Sequence, residues 1–205
     1  MKRYDQYCPI AHALEVVGER WTLLIVRELV TGPKRYTDLV AGLPGIGTNI
    51  LAGRLRDLEA AGVLEKRRLP PPAASQVYEL TEHGRGLMSV LRELAHWGAR
   101  SLGPPTPADQ LEPGWLYGAL CTSAWATEAP GQVEFRVGSE VVALVDGEAV
   151  QGRADDPDAV VTGSPAGFYH LFVDRDFDGV SVDGDRDAVE RVLDAVWPVP
   201  ERAAV

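Results

Sequence analysis

Long apolar runs are missing from this 205-residue sequence. Stretches such as Trp21–Val26 fall far short of the roughly 20 residues that cross a bilayer, so no membrane partner is expected. Cysteine is scarce. The two present, Cys8 and Cys121, are too few for a disulfide framework. The start, Met1-Lys2-Arg3-Tyr4-Asp5-Gln6, lacks the apolar stretch of a signal peptide, and a cytoplasmic location is expected. His12, His83, His96 and His170 are far apart and share no metal-ligand spacing with the cysteines. No Gly-x-Ser-x-Gly, phosphate loop or dinucleotide fingerprint occurs, so neither an enzyme nor a cofactor is expected. With 45% hydrophobic and 24% charged residues, the composition matches soluble globular chains and excludes a disordered tail.

Positive charge is also in deficit. The net charge of −10 speaks against a nucleic-acid binder, because phosphates repel an acidic surface. The average hides a split: residues 1–103 carry a net +3 and residues 104–205 a net −13. Such asymmetry points to two domains with different partners. Gly103-Pro104-Pro105-Thr106-Pro107 cannot continue a helix and favours an extended linker. The expected organisation is a first domain over 1–103, a linker over 104–109 and a second domain over 110–205.

In the first half, Ile10, Leu14 and Val17 recur at helical spacing, as do Leu23, Leu24, Arg27 and Leu29. Thr31-Gly32-Pro33 stops that second helix. A short helix fits Tyr36–Val40, another runs from Thr48 to Ala61, and Gly62 stands at its C-terminal end. Strand-like runs follow over 63–69 and 76–80. Thr81 is a candidate N-cap for a last helix reaching Leu102. Helices, then a two-stranded ribbon and a closing helix, give the order of a winged helix-turn-helix.

Such a fold reads DNA with the helix that precedes its ribbon, here Thr48–Ala61. At 100° per residue, Leu51, Leu55 and Leu58 share one face, while Asn49, Gly53 and Arg56 share the opposite one. Asn can pair bidentately with adenine, and Arg with guanine or a phosphate. Gly53 would permit close approach to the groove. Arg54 lies on the flank, where backbone contact is expected, and Thr48 opens the helix. Lys34-Arg35-Tyr36-Thr37 opens the preceding helix, where free N–H groups and positive charge favour a phosphate. Lys66-Arg67-Arg68 sits on the wing, with Gln76 on its return strand. Each cluster alone could be an ordinary solvated face, but all three fall where a winged helix meets double-stranded DNA.

Cys8-Pro9, Gly18-Glu19-Arg20-Trp21-Thr22, Arg35-Tyr36-Thr37-Asp38-Leu39, Arg54-Leu55-Arg56-Asp57-Leu58-Glu59 and Tyr78-Glu79-Leu80-Thr81-Glu82-His83-Gly84 resemble the HxlR-type bacterial transcription regulators. The resemblance covers about residues 7–102. It implies a homodimer on an inverted-repeat operator, held together by the first and last helices. The chain departs from the family at Gly47 and Asn49, where members often have Ser and a basic residue. Cys8 matches a position that some members use to sense oxidants or electrophiles. Lys2 and Arg3 nearby could lower its pKa; the other reading is a small residue packing the dimer helix. Cys121 is expected in a core.

The second half reads as a helical segment over 110–126, then strand candidates at 133–137, 141–145, 148–153 and 159–162. Asp146-Gly147 marks a hairpin. A helix is expected from Ser164 through Phe172, then a short strand at 180–182 and a final helix capped by Asp185. The expected fold class is α+β, with a mainly antiparallel sheet and helices on one side. The element order and Gly179-Val180-Ser181-Val182-Asp183-Gly184-Asp185 resemble sterol-carrier-protein-like domains. That resemblance implies an apolar tunnel for a lipid-like or aromatic small molecule, lined by Trp115, Trp125, Phe135, Phe168 and Phe172. These aromatics could equally be plain core. Asp174-Arg175-Asp176-Phe177-Asp178-Gly179, with Asp185 twelfth, imitates the start of a calcium loop. It lacks the bidentate Glu and the ninth-position ligand, so no metal is expected.

The expectation is therefore a DNA-binding regulator gated by an apolar ligand in its second domain. Two rivals remain. One is a lipid-carrier or protein-interaction module whose winged helix no longer binds DNA. The other is a thiol-based regulator working through Cys8, with a structural second domain.

Overall fold

The computed structural model describes residues 4–106, 109, 111, 114–124 and 127–198. Trp125, Lys2 and Arg3 lie outside them. The chain forms two compact units, Met1–Leu91 and Arg92–Val205.

The first unit starts with α1 (Pro9–Val17), α2 (Thr22–Val30), α3 (Tyr36–Gly42) and α4 (Thr48–Ala60). The hairpin β1 (Leu64–Arg68) and β2 (Gln76–Leu80) follows, antiparallel with Leu64 opposite Leu80 and Arg68 opposite Gln76. Lys34 adds a one-residue bridge to Tyr78 on β2. Ile25, Val26, Leu29, Leu39, Leu43, Leu51, Leu55, Leu58, Val63, Leu64 and Leu80 form one buried cluster. The leucine face of α4 is thus its docking face.

The expected last helix is in two pieces, α5 (Glu82–Arg85) and α6 (Leu87–Leu102), with the break at Gly86. Thr81 caps α5: its Oγ accepts from the Gly84 N–H at 3.0 Å and donates to the Gly62 carbonyl at 2.6 Å. Gly84 is required by close approach, since a Cβ there would stand 1.9 Å from the Val63 carbonyl oxygen. The division between the units falls inside α6, upstream of the proline-rich segment that the sequence marks as a linker.

The second unit holds α7 (Trp115–Ser123), β3 (Gln132–Val137), β4 (Glu140–Val145), β5 (Glu148–Gln151), β6 (Ala159–Gly163), α8 (Pro165–Tyr169), β7 (Val180–Gly184) and α9 (Arg186–Val196). Between α8 and β7, His170–Asp174 forms a π-helical turn where the sequence reads as continuing helix. The sheet order is β5-β4-β3-β6-β7. Three pairings are antiparallel and β3–β6 is parallel. Asp146 and Gly147 both have positive φ, 47° and 87°, as a two-residue hairpin requires. Val133, Phe135, Val142, Leu144 and Val161 meet Leu120, Phe168, Leu171, Val189, Val192 and Leu193 in one core. Alternation of side chains along β3 leaves Glu134 on the other face, where it is buried and accepts from the Arg136 guanidinium and the Ala154 N–H.

Among the described residues, no helix is long and apolar enough to cross a membrane.

Candidate nucleic-acid interface

Gly47 precedes α4 in extended conformation, and the first turn is fixed by a bond from the Tyr36 hydroxyl to the Thr48 carbonyl at 2.9 Å. Thr48, Asn49, Ile50 and Arg56 are exposed, opposite the buried leucines. Gly53 faces open space: a Cβ there would meet only the Arg56 guanidinium, at 4.0 Å. One helix therefore offers an amide, a bare backbone position and a guanidinium to an approaching surface.

The basic residues divide into two groups by their partners. Four are held in ion pairs. Lys34 Nζ lies 2.6 Å from Glu28, and Arg54 bridges Glu19 at 3.1 Å and Asp57 at 3.0 Å. Lys66 meets Glu59 at 2.7 Å and Arg67 meets Glu79 at 2.6 Å. The hydrogen bond to Glu59 raises the Lys66 pKa, and that to Glu79 raises the Arg67 pKa. Arg35, Arg56 and Arg68 have no ion-pair partner among the described residues. Arg35 Nε donates to Ser75 Oγ at 3.0 Å and Arg68 Nε to the Ala74 carbonyl at 3.3 Å. Arg35 also donates its backbone N–H to Asp38 at the start of α3. Thr37 and Gln76 are exposed, and Tyr36 is half-buried.

The neutralising carboxylates were missed by sequence reasoning. For Arg67 a signal existed: the hairpin register sets it opposite Val77, so Glu79 lies diagonally across on the same face. For Lys34 and Lys66 the partners come from other elements, and only the folded chain reveals them.

The family profile of the HxlR-like helix-turn-helix matches residues 16–105. The chain is 35% identical over 98 residues to the HTH-type transcriptional regulator YodB of Bacillus subtilis, covering 47% of this chain and 88% of that protein. It is 31% identical over 101 residues to the uncharacterized HTH-type transcriptional regulator YvaP of the same organism, covering 49% and 94%. The chain belongs to the HxlR-like helix-turn-helix family. It is a transcriptional regulator of that type. The solved reduced form of YodB is 33% identical, covers 49% of this chain and 100% of its own, and superposes with a TM-score of 0.42.

The remaining candidate residues lie elsewhere. Cys8 is the half-buried N-cap of α1. Burial raises the Cys121 pKa, against a hydrogen bond with Tyr117 that lowers it. Phe135, Phe168 and Phe172 pack together with ring centroids 5.8 to 6.4 Å apart. Trp115 packs against the same core and also lines a pocket of about 550 Å³ with Leu111, Gly114, Ser139, Glu140 and Gln151. In the calcium-like segment, Asp174 faces the His170 ring at 2.7 Å, while Asp185 caps α9 by accepting from the Asp187 N–H. Those carboxylates serve separate elements.

Proposed function

We propose that this regulator is a homodimer that binds an inverted-repeat operator through α4 and the β1–β2 wing. The observation that carries the reading is the division of α4: its leucine face is fully buried, while Asn49, Gly53 and Arg56, which has no ion-pair partner among the described residues, face outward. Asn49 and Arg56 would read base edges, and Thr48 would contact the backbone at the helix start. Lys34, Arg35, Tyr36, Thr37, Arg54, Lys66, Arg67, Arg68 and Gln76 would hold phosphates. The paired members of that set, Lys34, Arg54, Lys66 and Arg67, would exchange a carboxylate for a phosphate on binding.

Dimerisation is supported by two apolar stripes. On α1 and just ahead of it, Tyr7, Ile10 and Leu14 are exposed; on α6, Val90, Leu94 and Trp97 are exposed at i, i+4, i+7 spacing. Contiguous exposed apolar stripes of this kind mark interaction surfaces.

The second unit, with its sterol-carrier-like order of elements, would take an apolar small molecule. Candidate contacts are Trp115 and the Phe135–Phe168–Phe172 cluster, with Trp125. The charge of residues 104–205, net −13, suits control of DNA binding better than contact with DNA. Native mass spectrometry of the gently purified full-length chain tests both parts. A dimer carrying an apolar adduct, whose removal changes operator affinity about 5- to 150-fold, is expected. A monomer contradicts the dimer, and a dimer whose operator affinity ignores the adduct contradicts the gating.

A further inference from the structure

We propose that Ile50 reads sequence by packing against the 5-methyl group of a thymine in the major groove of the operator. The assignment rests on α4 being the helix that enters the groove.

Ile50 is anomalous in its own helix. The other large apolar residues of α4, Leu51, Leu55 and Leu58, are at most 1% exposed, whereas Ile50 is 48% exposed. Single exposed apolar residues are ordinary on protein surfaces. This one stands in the first turn of α4, beside Asn49 and one turn before Gly53. The Tyr36–Thr48 bond fixes the backbone at that point.

The side chain is stiff, because β-branching leaves one strongly preferred χ1 rotamer in a helix. Its immediate flanks are bare. Its Cδ1 lies 3.7 Å from where a Cβ on Gly47 would stand, and Gly53 has open space around it. A base edge can therefore approach past Gly47 and Gly53, which carry no side chain, with the Arg56 guanidinium standing beside Gly53. Thymine alone among the four bases presents a methyl group in the major groove. Ile50 would thus supply the apolar reading that Asn49 and Arg56, as hydrogen-bonding groups, cannot.

The test uses the full-length chain and an operator that it selects from a random duplex library. Each thymine is replaced in turn by deoxyuridine, which pairs identically and lacks only the methyl. One thymine per half-site should be sensitive, with affinity falling about fourfold per half-site, the value of one buried methyl. Ile50→Ala should bind the thymine and uracil duplexes equally, and Ile50→Val should keep most of the discrimination. No sensitive thymine, or undiminished discrimination by Ile50→Ala, overturns the assignment. Should Ile50→Ala misfold, the deoxyuridine series with the unaltered chain decides alone. Asn49→Ala and Arg56→Ala separate this from the reading beneath it. If they weaken binding while no thymine is sensitive, the role of Ile50 alone falls. If they change nothing, or the chain selects no sequence, the groove placement of α4 falls and takes Ile50 with it.

Discussion

The Tyr169 hydroxyl donates to the backbone carbonyl of Ala99 at 3.1 Å. One turn earlier on α6, the His96 ring meets Trp197 edge-on, with centroids 4.4 Å apart. Trp197 is itself held by its carbonyl, which accepts from the Arg175 guanidinium at 2.6 Å. These bonds explain why the second half of α6 packs with the C-terminal unit. Tyr169→Phe keeps the ring and removes the donor, so it should lower the stability of that unit by about 0.5–1.5 kcal/mol. Urea unfolding followed by Trp fluorescence would read this as an earlier midpoint. An unchanged midpoint would show that the bond does not hold α6.

His96 should make stability depend on pH. Burial lowers its pKa from the ordinary 6.5; Glu93 and the Val196 backbone act in the opposite direction, and Arg92 and Arg100 reinforce the lowering. Its Nε2 is buried and has no hydrogen-bond partner among the described residues. The unfolded chain takes up this proton near pH 6.5, while the folded chain stays neutral until lower pH. Stability contributed here is therefore full above pH 6.5 and declines as pH falls toward the folded value. Melting temperatures at about pH 8 and pH 6 should differ more for the unaltered chain than for His96→Gln, which cancels the other histidines from the comparison. Equal pH dependence in the two would remove His96 as the cause.

The wing carboxylates should restrain non-specific DNA binding. Glu79 neutralises Arg67 across the hairpin. Glu79→Gln frees that charge, so affinity for any duplex should rise and the logarithmic salt slope should steepen by up to about one. Anisotropy titrations of a fixed random duplex at several salt concentrations would measure this. A slope that stays the same places Arg67 away from phosphate.

Charge placed in the apolar stripe of α6 should dissociate the proposed dimer. Trp97 is 70% exposed, so Trp97→Glu should fold as before while sedimenting as a monomer. A dimer of unchanged strength would assign the contact to another surface.

The sequence made some of this legible because certain rules are local. The two faces of α4 follow from a 3.6-residue period, and the Asp146-Gly147 hairpin from two positions that need positive φ. Other features depend on partners far along the chain. The parallel pairing of β3 with β6 joins strands whose side-chain alternation is the same in either direction. The Tyr169–Ala99 bond spans 70 residues, so nothing near Ala99 marks where α6 changes unit. At the candidate interface the basic residues could be placed on the right elements, because composition and capping mark them. The pairing of Lys34 with Glu28 and of Lys66 with Glu59 could not, since those partners stand on other elements and an exposed Lys carries no local sign of them.

The central claim is that the outward face of α4 and the wing recognise DNA. Anisotropy titration of a selected operator with the full-length Asn49→Ala/Arg56→Ala/Arg67→Ala chain tests it most directly. Arg56→Ala alone should cost about 1–3 kcal/mol if it reads a base, and the triple variant should bind the operator no better than a random duplex. Operator binding by the triple variant that matches the unaltered chain would contradict the account.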